Sequence, residues 1–245
     1  MNIFFLKKLF SGFRNFLPLP CPLCRRGTPV LPNGFCENCL KQLDLIPPDE
    51  SCCPGCGGRM TGALAVCAQC IAEPERLWLK AYTMMPYRKY AKEAIRSFKF
   101  HNRPELARPF GMILADKIIS AGIKADLVMG VPLHFMRQFS RGYNQSQLLA
   151  EVVASRCHIP AGQPLKRVRK RSHQARRNRN DRHRELAGSF ILKSPEMVKN
   201  RNILLIDDVL TTGATLHAAT NALLTGHPAS VTIITLARTP GHSGF

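Results

Sequence analysis

Four groups of residues in this sequence have types and spacings that could do chemistry. The first is the stretch Ile203 to Thr215, ILLIDDVLTTGAT. Two adjacent carboxylates, Asp207 and Asp208, are followed by a short loop of hydroxyls around one glycine: Thr211, Thr212, Gly213, Ala214 and Thr215. Such a loop before a helix offers backbone N–H groups, hydroxyls and the positive end of a helix dipole, which suit a phosphate. Paired carboxylates suit vicinal sugar hydroxyls, or a Mg²⁺ carried by the ligand. A sugar phosphate satisfies both halves.

The second group is eight cysteines in four C-x-x-C pairs: Cys21 and Cys24, Cys36 and Cys39, Cys53 and Cys56, Cys67 and Cys70. Each pair sets two thiolates on one tight turn, and two pairs complete a tetrahedron around Zn²⁺. Proline and glycine at Pro22, Gly27, Pro54, Gly55, Gly57 and Gly58 supply the turns. The repeat reads as a double zinc ribbon with two structural Zn²⁺, and spacing leaves sequential and interleaved ligation both open. Cys52 and Cys157 fall outside the pattern. The third group is Arg137, Arg141, Asn144 and Gln145, where an apolar stretch turns into a helix pattern; Gly142 among them marks a turn. The fourth is Lys166–Arg184, with ten Lys or Arg, including Arg171, Arg176, Arg177 and Arg179, beside Gln174. A run this polar cannot bury itself and reads as a loop that contacts phosphates, either as a lid or as a nucleic-acid patch.

Certain elements must position these groups. Ile203–Ile206 is an uninterrupted apolar run, which suits a strand buried on both faces of a parallel sheet. Leu127–Val131 is a short apolar strand ending in Pro132, Leu165–Val168 reads as a further strand, and Ser230–Leu236 closes as another buried one. Helices are expected over Tyr87–Phe100, with Tyr87, Ala91, Ala94, Ile95 and Phe98 on its apolar face, over Leu106–Ala121, and over Leu216–Leu224. Strands alternating with helices make an α/β fold with a parallel sheet flanked by helices. Its ligands bind at the carboxyl ends of the strands, where Asp207, Asp208 and the Arg137–Gln145 stretch both fall.

The chain has 245 residues and a formal charge of +19, so polyanionic partners are favoured. Three regions are expected: an amphipathic segment over 1–20, the ribbons over 21–75 and the α/β domain over 76–245. Phe5, Leu6, Leu9, Phe10, Phe13, Phe16 and Leu17 form a helical stripe that fits packing on the next domain, a membrane surface or a partner. No apolar run is long enough for a transmembrane segment. Cysteines grouped for metal rather than for disulfides point to a reducing, cytoplasmic setting.

The string ILLIDDVLTTGAT resembles the phosphoribosyl pyrophosphate (PRPP) motif of type I phosphoribosyltransferases, which have a Rossmann-like fold. That resemblance implies that Asp207 and Asp208 hold the ribose hydroxyls and that Thr211–Thr215 hold the 5′-phosphate. It also implies a pyrophosphate site at Arg137, Arg141, Asn144 and Gln145, a hood loop around Gln174, and Mg²⁺ bound with PRPP. Together with CPLC, CENC, CPGC, CAQC and RGYNQ, the chain resembles the ComF/GntX family over nearly its whole length. Membership implies a link to DNA uptake or to the use of external DNA. Two departures stand out. Arg182-His183-Arg184-Glu185-Leu186 lacks the asparagine of the family's R-x-x-N-L, and Thr211 stands where purine-salvage enzymes carry an acid/base aspartate. Two functional classes follow: a PRPP-dependent transferase, or a binding module for single-stranded DNA serving an import or recombination machine.

Overall fold

The structure is a computed structural model, and it describes residues 20–29, 34–47, 51–60, 64–72, 76–168 and 188–240, the side chains of residues 135, 137 and 138 excepted. The N-terminal segment and most of the basic run, with Arg171, Gln174, Arg176, Arg177 and Arg179, lie outside the described residues.

An apolar run without alternation must be covered on both faces, and the centre of the sheet shows how. Strand β5 (Asn202–Leu210) pairs in parallel with β2 (Leu127–Gly130) on one side and β6 (Ser230–Arg238) on the other; β1 (Lys80–Pro86) pairs with β6, giving the order β1-β6-β5-β2. Leu204 and Ile206 face one core with Val128, Ile234 and Leu236; Ile203 and Leu205 face a second core with Leu127, Met129, Val231 and Ile233. Helices α3 (Lys89–Phe100), α4 (Ala107–Ser120) and α6 (Gln145–Cys157) fill the first core. Helix α7 (Ala214–Leu224) and an antiparallel pair, β3 (Leu165–Arg167) and β4 (Phe190–Leu192), fill the second. The first strand, β1, was not among those read from the sequence.

The cysteine-rich head, with the short helices α1 (Glu37–Leu43) and α2 (Ala68–Ala72), wraps the β1 edge. Ala81 donates its backbone N–H to the Pro54 carbonyl (2.7 Å), Ile46 donates to the Met84 carbonyl (2.7 Å), and the Thr83 hydroxyl donates to the Cys56 carbonyl (3.0 Å). Polar groups of an edge strand that would otherwise invite pairing are thereby used. Cys21, Cys36 and Cys39 join the first core, and Cys53 and Cys56 join the second, so one end of the head lies on each side of the sheet.

Two boundaries differ from the sequence reading in ways that matter. β5 does not stop at Ile206 but runs through both aspartates to Leu210, because β6 continues beside it: Asp207 lies opposite Thr235 and Leu210 opposite Arg238. β2 does stop, at Gly130 opposite Ile206. The aspartates therefore sit where one neighbouring strand has ended and the other persists. Helix α7 begins at Ala214, two residues before the apolar periodicity suggested.

Gly130 fixes how closely α6 approaches that opening. A Cβ there would stand 2.4 Å from the Ser146 carbonyl carbon and 2.5 Å from the Gln147 nitrogen. Both are backbone atoms at the start of a packed helix, which cannot swing away as a side-chain tip would. Gly130→Ala is expected to lower the unfolding free energy by about 1–3 kcal/mol. Urea unfolding of the metal-loaded protein measures this; a loss below about 0.5 kcal/mol, within the range of an ordinary surface change, would mean that α6 is not held there.

Candidate functional site

The head holds two thiol tetrads. Cys21, Cys24, Cys36 and Cys39 form one, and Cys53, Cys56, Cys67 and Cys70 the other, with each set of sulfurs within 4.8 Å. The tetrads are therefore sequential along the chain, which spacing alone left open. The geometry fits a tetrahedral ion: Cys21–Cys39, Cys24–Cys36 and Cys56–Cys67 sulfurs are each 3.7 Å apart. A metal–sulfur bond of about 2.3 Å places tetrahedral sulfurs about 3.8 Å apart. Backbone N–H groups aim at the sulfurs, from Gly27 to Cys24 (3.4 Å), Cys36 to Cys21 (3.4 Å) and Cys67 to Cys53 (3.3 Å). The N–H groups of Gly27 and Arg26 hold the Cys24 thiol down to about 6, so it is ionised at neutral pH. Burial pushes the Cys39 thiol up, against the Tyr90 hydroxyl that lies 3.1 Å from its sulfur.

The second site is the opening at the ends of β2 and β5. Asp207 is half-buried and Asp208 buried. As neighbours in a strand they point to opposite sides, and each meets a different partner. Asp208 forms an ion pair with Lys99, Oδ1 to Nζ 2.7 Å, and both side chains are largely shielded from solvent. Asp207 Oδ1 accepts from the Ser146 hydroxyl (2.8 Å) and from the backbone N–H of Asp208 (2.9 Å). The loop that follows reaches α7 through Gly213, whose φ of +76° is costly for any residue with a Cβ. Thr211 is exposed, Thr212 accepts from the Ala214 N–H (3.4 Å), and the start of α7 faces the concavity lined by Asp207, Thr211 and Thr215. Of the two carboxylates, Asp207 lines this concavity with the loop, while Asp208 is turned to Lys99.

Of the third group, Asn144 and Gln145 are buried and Arg141 is half-buried. Asn144 caps α6, accepting from the N–H groups of Ser146 (3.1 Å) and Gln147 (3.5 Å) and donating to the Val131 carbonyl (3.1 Å). That cap, with Gly130 beneath it, sets Ser146 against Asp207. The Arg141 guanidinium donates to Gln145 Oε1 (3.2 Å) and stacks 4.6 Å from the centre of the Phe100 ring. Phe100 ends α3 directly after Lys99, so this stack brings the Arg141 turn and Lys99 to one edge. Gly142, at φ +77°, makes the expected turn. Arg137 lies on the short helix α5 (Phe135–Arg141) beside it. Two site residues were missed in the sequence. Ser146 follows an Asn cap signal that could have pointed to it; Lys99 looked like one charge among many on a basic helix.

A family model described as a phosphoribosyl transferase domain matches residues 104–243. The chain belongs to that family. Among curated proteins it is 31% identical to Competence protein F of Haemophilus influenzae over 216 residues, which cover 85% of this chain and 92% of that one. It is 29% identical to the DNA utilization protein YhgH of Escherichia coli over 229 residues, 91% of this chain and 98% of that protein. Competence protein ComFC of Bacillus subtilis is 31% identical over 210 residues, 83% of each chain. These are relatives of the ComF type. The chain is thus a ComF-type phosphoribosyl transferase domain carrying two cysteine tetrads able to hold metal.

In this phosphoribosyl transferase domain Asp207 titrates far from the ordinary carboxylate range. Burial, and then the adjacent Asp208 charge, raise Asp207 from the usual carboxylate range to about 7, against the pull of Lys99 and Ser146. A carboxyl that titrates near 4 unfolded and near 7 folded binds more protons when folded, so its contribution to stability is present in acid and is lost as pH rises towards 7. Asp207→Asn keeps an oxygen for Ser146 and Asp208 to donate to and removes the charge. The ligand-free variant should be more stable than the wild type, and its advantage should grow by about 1–2 kcal/mol between pH 5.5 and pH 8. Urea unfolding at both values checks it; an advantage that shrinks with pH would place the protonated carboxyl elsewhere.

Proposed function

We propose that the protein binds PRPP together with Mg²⁺ at the opening of β5, as a ComF-type component of DNA uptake or of the use of external DNA. The observation that carries this reading is the concavity in which Asp207, Thr211 and Thr215 meet the start of α7, with Asp208 next to Asp207 in the strand. Asp207 and Asp208 would accept hydrogen bonds from the two ribose hydroxyls, and Thr211, Thr212, Gly213, Ala214 and Thr215 would receive the 5′-phosphate. Arg137 and Arg141 would face the pyrophosphate, with Asn144 and Gln145 shaping the turn. Mg²⁺ arriving with PRPP would neutralise pyrophosphate charge. Hydroxyl donors favour the ionised form of Asp207, so ligand binding would release its proton.

If a reaction follows, it is displacement of pyrophosphate from C1 of the ribose by a nitrogen nucleophile. Thr211 favours a second reading, in which the site binds PRPP without turnover, because a threonine cannot serve as acid or base near neutral pH. In either case single-stranded DNA is the partner that the +19 charge and the Lys166–Arg184 run would attract, with Arg171, Gln174, Arg176, Arg177 and Arg179 as a lid or DNA contact. The names of the relatives, competence and DNA utilization, support that assignment. The tetrads would hold two structural Zn²⁺, which a head of this size needs in order to fold. Metal-ready thiols fit a cytoplasmic protein, and among the described residues no helix is long and apolar enough to cross a membrane.

Calorimetric titration of PRPP with Mg²⁺ tests the reading. Wild type should bind, and Asp208→Asn should bind about ten- to a hundredfold more weakly, the cost of charge-assisted hydrogen bonds worth about 1.5–3 kcal/mol. No heat with the wild type would leave the motif as scaffold. Single-stranded DNA binding should fall with salt at about −0.7 per phosphate contacted. Replacing Arg176, Arg177 and Arg179 together by Ala should flatten that slope, and an unchanged slope would move the DNA site out of the run.

A further inference from the structure

The second tetrad is tied to the phosphate loop by side chains that no motif identifies. Arg76 and Trp78 lie between them as a stacked pair, with the guanidinium 5.0 Å from the centre of the indole ring. At one end Arg76 Nη2 reaches Cys70 Sγ (3.8 Å), and Trp78 Nε1 donates to the Gly55 carbonyl (2.9 Å), between Cys53 and Cys56. At the other end both rest on Gly213. A Cβ on Gly213 would stand 2.4 Å from Arg76 Nη1 and 3.6 Å from Trp78 Cη2. A second arm runs parallel to this one. Arg238, opposite Leu210 at the end of β5, donates to Cys67 Sγ (3.7 Å) and to Gln69 Oε1 (2.5 Å). Leu210 is the last strand residue before the loop, so the first arm ends on the loop and the second beside the residue that leads into it.

The electrostatics give the arrangement a direction. Four thiolates around one divalent ion carry a net charge of about −2, which anchors two guanidinium groups. Removing the ion removes the bonds that fix Cys67 and Cys70, the sulfur partners of Arg238 and Arg76. Arg76 then loses its fixed sulfur partner and keeps its stack on Trp78. Gly213 needs φ +76° to start α7 at the right place, and the Arg76–Trp78 pair packs against the atom that must hold that angle. The first tetrad has no comparable link among the described residues: its contacts run to Tyr90 on α3 and, from the Pro22 and Leu23 carbonyls, to Arg103.

We propose that Arg76 is a positioning residue of the phosphate loop, and that through its contact with Cys70 it couples the ligand-binding shape of the loop to metal binding at the second tetrad. Ligand affinity then depends on the second metal site and not on the first. The proposal rests on the PRPP reading for its ligand, but the coupling itself has a ligand-free consequence. Trp78 is the sole tryptophan of the chain, so its emission reports this junction directly.

The test uses the full metal-loaded chain. Arg76→Ala should keep two metal ions by elemental analysis and the wild-type thermal midpoint, yet bind PRPP with Mg²⁺ at least tenfold more weakly. Cys67→Ser should lose one ion and show a similar loss, with no further loss when Arg76→Ala is added; Cys36→Ser should lose one ion and keep the affinity. Equal PRPP affinity in Arg76→Ala and wild type overturns the proposal, as does full additivity of Arg76→Ala and Cys67→Ser. If Cys67→Ser does not fold, Arg76→Ala decides alone. A wild type that binds no PRPP refutes the ligand reading instead. The coupling is then read from amide hydrogen exchange over Thr211–Thr215 and from Trp78 emission in Arg76→Ala. Faster exchange and shifted emission sustain it; unchanged values of both overturn it.

Discussion

Two negative charges on adjacent residues of one strand, partly shut off from water, are an unfavourable arrangement, and much of the domain is built around holding it. Asp208 is offset by Lys99 at 2.7 Å, which arrives from the end of α3. Among the described residues Asp207 forms no ion pair and is instead met by the Ser146 hydroxyl and a backbone N–H. Burial and the neighbouring carboxylate hold Asp207 near 7, so proton uptake at Asp207 offsets part of this repulsion. A ligand offering two hydroxyl donors relieves this frustration by supplying hydrogen bonds to the ionised forms.

The supports of those carboxylates explain several features that look unrelated. Gly130 lets α6 approach the sheet closely enough for Ser146 to reach Asp207. Asn144 stiffens the turn before it, and Tyr143 anchors that turn to α3 by donating to the Phe98 carbonyl and accepting from the Arg103 N–H (3.0 Å). Arg103 in turn donates to the Pro22 carbonyl at the first tetrad. The head is therefore continuous with the domain on both faces of the sheet. A small cysteine-rich segment has too little apolar surface for a core of its own, and here it borrows one from each face of the sheet it covers.

The parallel sheet and the ligand edge were legible in the sequence because uninterrupted apolar runs, paired acids and a glycine-marked loop are local signals. Eight cysteines at regular spacing were equally local, although only the fold shows that the tetrads are sequential. What could not be read was contact between distant segments. Strand β1, KAYTMMP, carries neither a clean alternation nor a continuous apolar run, because one of its edges is closed by the head rather than by a strand. Lys99 is one of several basic residues on α3, and nothing in its neighbourhood separates it from the exposed ones. The length of β5 beyond Ile206 was hidden for a similar reason: aspartates are poor strand residues, and it is pairing with β6 that keeps Asp207 and Asp208 extended.

The central claim is that Asp207 and Asp208 recognise a ribose diol while the start of α7 holds its phosphate. Comparing ribose 5-phosphate with 2-deoxyribose 5-phosphate isolates that claim, because the two sugars share the phosphate and differ by one hydroxyl. Titration of each into the metal-loaded protein should show the deoxy sugar binding about tenfold or more weakly, the loss expected when one charge-assisted hydrogen bond of about 1.5 kcal/mol is removed. Equal affinity for the two sugars would contradict the account and leave the loop as a site for phosphate alone.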